Sequence, residues 1–234
     1  FAAGRPYDQI RQGVCIGKLN VKIVGSSAGL SDSGDGATHQ AVEDIAVMRV
    51  IPHMTVIVPA DATETAQAVD AIAEHKGPCY VRVGRNKVPV LYGADYRFRI
   101  GKARVHHEGR DAVIIAAGIM VAEALKARER LLAEGVDAGV INMSTIKPLD
   151  GEAVVSAAKR CGAVVTAEEH SIIGGLGGAV AEVLAESAPV PLVRIGIRDQ
   201  FGTSADPDSL LAHYKITAAD IQAGVHEVIK KKQR

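Results

Sequence analysis

At 234 residues and 47% hydrophobic content the chain can bury one large or two ordinary cores, and two is the better expectation. Its 27 basic residues balance 27 acidic ones, so no net field draws it to nucleic acid or a membrane, and 3% aromatics with no Trp give no base-stacking platform. Cys15, Cys79 and Cys161 are odd in number and widely spaced without a CxxC, which excludes a disulfide framework or zinc site and fits three small core residues in a cytoplasmic protein.

The chain opens on Phe1 without Met and runs into a helical pattern with no capping signal, so a front cut short is expected. Residues 2–18 carry Tyr7, Ile10, Val14 and Cys15 at helical spacing, with Arg5 one turn before Gln9. Residues 21–25 (VKIVG) read as a buried strand, followed by a loop through Ser27. Then comes the run SGDGATHQAVEDIAVM at 33–48, where Gly34 and Gly36 bracket Asp35, and Thr38, His39 and Gln40 are expected to enter a helix. Val42, Ile45, Ala46 and Val50 would pin that helix to a core, leaving Asp35 and His39 at its N-terminal mouth. Free N–H groups there suit a hydroxylated or anionic ligand, although a plain loop explains the same spacing.

A second strand is expected at 55–58. After it, Asp61 and Glu64 make a capping signature for a helix burying Ala62, Ala66, Val69, Ile72 and Ala73. Residues 79–83 (CYVRV) form a third strand, and Arg85 follows its carboxyl end, where a planar guanidinium suits an anion; a bare surface charge is the alternative. The next stretch lacks period, and the division expected is 1–90, a linker at 91–110, and 111–234.

In the second part strands at 112–117, 138–143, 163–167 and 192–195 alternate with helices at 121–133, 150–160 and 176–186. Val121, Leu125, Leu131 and Leu132 face inward on the first of these helices. Thr217 with Asp220 caps a last helix that buries Ile221, Val225 and Ile229. This alternation predicts α/β architecture, two doubly wound domains with mostly parallel sheets. Gly174, Gly175, Gly177 and Gly178 fail the dinucleotide fingerprint because Val180 stands where its last Gly belongs, so close helix packing is the use expected of them. His53, His75, His106, His107, His213 and His226 show no metal-ligand spacing.

Four stretches resemble the transketolase family: AGRPYDQIRQ at 3–12, SGDGATHQAVEDIAVMRVIPHMTVIVPAD at 33–61, VRVGRNKVP at 81–89 and EEHSIIGGLGG at 168–178. The resemblance implies a partial thiamine-diphosphate pyrimidine-binding domain followed by a transketolase C-terminal-type domain, together the C-terminal subunit of a split transketolase. It implies ketol transfer between phosphorylated sugars in the pentose phosphate pathway, with thiamine diphosphate and Mg²⁺ held mainly by an N-terminal partner subunit and a heterotetramer as the assembly. By similarity Asp35 selects a sugar hydroxyl, His39 contacts substrate oxygens, Arg85 binds the sugar phosphate and Arg5 lines the same channel. Ser27 stands where many members carry a second phosphate-binding His, and Phe1 is the tail of the segment that meets the cofactor's pyrimidine.

The family's cofactor-activating Glu and its diphosphate motif have no counterpart in the sequence, so the chain alone is expected to be inactive. Deoxyxylulose-phosphate synthase, the β-subunit of a 2-oxoacid dehydrogenase and a non-catalytic assembly partner are the alternatives. The spatial expectation is that Asp35, His39 and Arg85 converge at one sheet edge, as ligands of open α/β sheets do.

Overall fold

A computed structural model describes residues 1–233. The first half runs α1 (Tyr7–Gln9), β1 (Lys22–Gly25), α2 (Asp44–Val50), β2 (Thr55–Ile57), α3 (Ala62–Glu74) and β3 (Cys79–Arg82). The second half runs β4 (Arg104–His107), β5 (Ala112–Ala116), α4 (Met120–Ala133), β6 (Ala138–Asn142) and β7 (Thr145–Lys147). It continues through α5 (Gly151–Cys161), β8 (Val164–Ser171), α6 (Leu176–Ser187), β9 (Leu192–Ile197), α7 (Pro207–His213) and α8 (Ala218–Lys232).

Two sheets result, ordered β1-β3-β2-β7 and β4-β6-β5-β8-β9. All pairings are parallel except β2 with β7 and β4 with β6. The expected α/β architecture with mostly parallel sheets therefore holds; the apolar runs of β2, β3, β5, β6 and β8 are inner strands, whereas β1, expected as a buried strand, is an edge with Val24 half exposed. Each of the two apolar clusters draws residues from both halves: Val81 lies in one core with Ile114, and Ile45 lies in the other with Val113.

Several local expectations are corrected. The N-terminal helix starts at Tyr7 and continues from Ile10 to Cys15 as a π-helix, which buries Ile10 and Cys15, five residues apart. Helix α2 begins at Asp44, so Thr38, His39 and Gln40 precede it: Gly36 at φ +71° turns the chain into a single 3₁₀ turn over Gly36–Thr38. With that later start α2 buries Ile45 and Met48 and leaves Val50 exposed.

Helix α3 is capped by Asp61, whose carboxylate accepts from the Glu64 N–H (2.7 Å), but its inward face is Glu64, Ala68 and Ile72. Glu64 can occupy the core because its carboxylate accepts from Ala60 N–H, Tyr96 O–H and the Asn142 amide, and Val69 is correspondingly half exposed. Leu132 on α4 likewise faces solvent, while Val121 and Leu131 are buried.

The stretch 91–110 is not bare linker: Tyr92, Tyr96 and Phe98 are buried and β4 pairs antiparallel with β6. Strand β7, unforeseen, leaves the second half to pair with β2 of the first sheet. Strand β8 extends through Glu168, Glu169 and His170, and α8 carries the expected Thr217–Asp220 capping box. All three cysteines are buried and free, as expected.

Candidate active-site cleft

At the carboxyl end of β1 the backbone turns sharply, with Ser27 in the left-handed region at φ +57°. Beyond it a loop closes at its neck, Gly29 N–H donating to Ala41 C=O (3.0 Å). Between this turn, the loop and the chain's opening residues lies a cleft of about 270 Å³, lined by Phe1, Ser27, Asp32, His39, Ala41 and Tyr80.

The Phe1 ring stands edge-on to the His39 imidazole, centroids 5.1 Å apart at 88°, and the Arg5 guanidinium lies 4.4 Å from the Phe1 ring centre. His39 Nδ1 shares a 2.9 Å hydrogen bond with Thr38 Oγ1, which steadies the ring while leaving Nε2 free of that contact. Arg85 Nη1 donates to Asp32 Oδ1 at 2.9 Å; Asp32 is largely buried while the Arg85 side chain is 65% exposed. Sequence reasoning did not single out Asp32, which lines the cleft with His39 and Ser27 and ties Arg85 to it, Arg85 itself standing outside the lining. Asp35 sits on the outer, exposed side of the same loop, and its side chain is outside the cleft lining.

Beneath the cleft lies a buried charge network that sequence reasoning missed. Arg82 Nε donates to Asp44 (3.0 Å), Arg82 Nη1 to Glu169 Oε2 (3.2 Å) and Tyr80 O–H to Asp44 Oδ2 (2.7 Å). Burial works against the Arg82 charge, but the flanking Asp44 and Glu169 carboxylates prevail and hold it above the ordinary guanidinium range. Burial, then the Asp44 charge, raises the Tyr80 hydroxyl. The available signal was an Arg inside the apolar run CYVRV, since a buried strand tolerates such a charge only when it is paired. Gly29, at φ +63°, is required here: a Cβ would overlap both Arg82 and Glu169.

On the other side of β8, Glu168 accepts from the Leu176 and Gly177 N–H groups at the start of α6 (2.7 and 2.8 Å). A Cβ on Gly177 would lie 2.9 Å from Thr166 Oγ1, so the glycine run lets α6 pack close to the sheet, as expected. Burial pushes the Glu168 carboxyl up to about 7 against those two hydrogen bonds. His170, lowered by burial, accepts from Ala46 N–H at Nε2 (3.3 Å) and faces Ser171 C=O with Nδ1 (2.7 Å), which assigns the proton to Nδ1.

Chemically the cleft offers an exposed aromatic ring, an imidazole, a hydroxyl at a reversed turn, and a guanidinium at its rim. Phe1 is exposed at this mouth with the Arg5 guanidinium over its ring, and an exposed ring there fits a flat heteroaromatic group, such as the pyrimidine end of a thiamine cofactor. Among the described residues no group of three His, Cys, Asp or Glu is placed to hold a metal ion, and no helix is long and apolar enough to cross a membrane.

Residues 1–90 match the family "Transketolase, pyrimidine binding domain" and residues 101–221 match "Transketolase, C-terminal domain". The chain is 45% identical to the 6-deoxy-6-sulfo-D-fructose transketolase subunit SqwH of Clostridium sp. (strain MSTE9), over 99% of this chain and 72% of that protein. It is 40% identical to an apulose-4-phosphate transketolase subunit of Phocaeicola vulgatus, over 99% of this chain and 74% of that protein. A solved structure described as "Split gene transketolase, inactive beta4 tetramer" superposes with a TM-score of 0.94 at 50% identity, covering 99% of this chain and 74% of that one.

Proposed function

Since the chain belongs to the transketolase family, we propose that it is the C-terminal subunit of a split transketolase that moves a two-carbon ketol unit between phosphorylated sugars. The observation carrying this reading is the meeting of Phe1, Ser27 and His39 in one cleft, with Arg85 held at its rim through Asp32. Thiamine diphosphate, when bound, supplies the chemistry that breaks and forms the carbon–carbon bond. The side chains of this chain then bind and orient.

Phe1 offers its exposed ring to the pyrimidine, with the Arg5 guanidinium over that ring. His39 exchanges hydrogen bonds with carbinol oxygens of the sugar, a task suited to an imidazole near neutral pH. Asp35 lies exposed outside the cleft lining, so a contact to a sugar hydroxyl is assigned to it by the family resemblance alone. Ser27 and Arg85 receive the anionic tail, and a terminal phosphate is the group a planar guanidinium fork binds well. The names of two relatives specify a sulfonated and a phosphorylated sugar, both anionic, which supports an anion-binding role for Arg85.

The partner is an N-terminal subunit that brings the cofactor-activating acid, the diphosphate site and Mg²⁺, in a cytoplasmic heterotetramer of the pentose phosphate pathway. This chain alone is inactive. A relative described as an inactive tetramer of β chains supports both self-association and dependence on a partner.

The deciding assay mixes the chain with its N-terminal partner, thiamine diphosphate and Mg²⁺, and offers xylulose 5-phosphate or pyruvate as donor. Transfer from the ketose phosphate is expected. Turnover of pyruvate instead would reassign the chain to the deoxyxylulose-phosphate synthase or 2-oxoacid dehydrogenase relatives. In the active mixture His39→Ala is expected to lower turnover roughly 10²-fold, the low end for a group acting on developing charge, with the circular dichroism unchanged. Unaltered turnover would remove His39 from the site.

A further inference from the structure

Residues 32–41, which carry Asp35 and His39, make hydrogen bonds to one segment of the second half, residues 201–205, between β9 and α7. Gln40, next to His39 and only 4% exposed, donates from Nε2 to Thr203 C=O (3.0 Å) and to Asp32 C=O (3.3 Å). Ala205 N–H donates to Ser33 C=O (3.2 Å). One amide thus ties both ends of the functional loop to each other and to the second half.

The fit around that amide is tight on both sides. A Cβ on Gly202 would overlap the Gln40 amide and come within 2.8 Å of Gln40 Cβ, and a Cβ on Gly36 would lie 2.6 Å from Ser204 Oγ. The far side of the segment is held by Tyr214, whose O–H donates to Phe201 C=O (2.7 Å) and whose ring is buried at the end of α7. The chain therefore runs from a buried tyrosine of the second half to the imidazole at the cleft through backbone carbonyls and one side chain.

We propose that Gln40 and the segment Gly202–Thr203 form a clasp through which the second domain sets the position of His39 and, through Asp32, of Arg85, making Gln40 a positioning residue for sugar binding. The clasp rests on the ketol-transfer reading above only for its consequence in catalysis; its consequence for the loop is independent of it. Buried amides that join two backbone carbonyls cost more to break than exposed ones, because the released groups find no other partner inside the fold. A loop so released displaces the groups it carries, and displacement of a binding group weakens substrate capture before it alters the chemistry.

Two variants test it. Gln40→Glu keeps the side chain's size but sets a non-donating carboxylate against the carbonyls of Asp32 and Thr203; Gly202→Ala places a methyl into Gln40 from the other domain. Hydrogen exchange of the amides of residues 32–41 is followed in the chain on its own, and KM and kcat for the ketose phosphate in the two-subunit enzyme. Both variants are expected to speed exchange in that loop at least 10-fold while β5 and β8 stay protected, and to raise KM about 10-fold with a smaller change in kcat. A merely structural role would lower the active fraction and leave KM in place. Wild-type exchange in the loop, or a wild-type KM in both variants, overturns the proposal. If the wild-type mixture transfers no ketol unit, that failure falls on the functional reading, and the exchange result alone decides the clasp.

Discussion

Arg85 and Asp32 form an exposed-to-buried pair whose charges act in opposite senses on an incoming anion. On the proposed reading, Arg85→Ala is expected to raise KM for phosphorylated sugars with a smaller effect on kcat, because a phosphate bound there would be remote from the reacting carbon. Asp32→Asn removes a like charge near the same tail. A charge pair near 4 Å in water is worth about 1 kcal/mol, so inorganic phosphate should bind about 5-fold tighter to this variant by calorimetry. Equal phosphate affinity in wild type and Asp32→Asn would remove Asp32 from the cleft's electrostatics.

Gly29→Ala is the severe case at this scale, since its methyl overlaps a buried ion pair. Loss of about 3 kcal/mol in urea unfolding is expected, the range for a broken buried pair. At single positions the sequence was readable where polar groups crowd a turn, as in GDGATHQ. It flagged Arg82 inside CYVRV but not its partners, because Asp44 and Glu169 lie 38 and 87 residues away and leave no local pattern.

Among elements, β8 and the start of α6 share a group sensitive to pH. The Glu168 carboxyl is raised from 4.5 to about 7 by burial, so the folded state holds its proton where the unfolded chain has released it. Stability contributed by this group is present below about pH 4.5, falls as pH rises toward 7, and stays lost above it. His170 is lowered from 6.5, so its contribution runs the other way and is lost as pH falls below that value. Glu168→Gln should remove the first limb, so that the stability difference between variant and wild type drifts in the variant's favour between pH 4.5 and 7 in urea titrations. A difference independent of pH would mean that Glu168 is ionised throughout. Strands with β-branched runs, such as β5 and β6, were legible. Strand β4 was not, because an antiparallel edge strand with exposed residues carries no apolar run, and β7 was not, because three residues before a proline are too short to show a period.

For the molecule as a whole, the sequence suggests two domains in series, whereas strand β7, the shared apolar clusters and the Arg82–Glu169 pair bind the halves together. One cooperative unfolding transition is therefore expected by calorimetry, with the calorimetric and van't Hoff enthalpies equal. Residues 1–100 expressed alone should lack a fixed tertiary structure, seen as poor dispersion in proton spectra; a well-dispersed spectrum would show that the first sheet stands without its antiparallel neighbour. Strand alternation revealed the class of fold, but the crossing of one strand between sheets depends on pairings that no local window contains.

That crossing strand also governs how chimeras of this protein could be made. Swapping halves between relatives at residues 91–110, to graft one sugar preference onto another scaffold, would leave Thr145–Lys147 from the donor lying against Val56 and Ile57 from the recipient. The hidden seam of such a hybrid lies at β2, some distance from the splice, and matching the residues across it should matter more to recovery of a folded hybrid than the choice of junction.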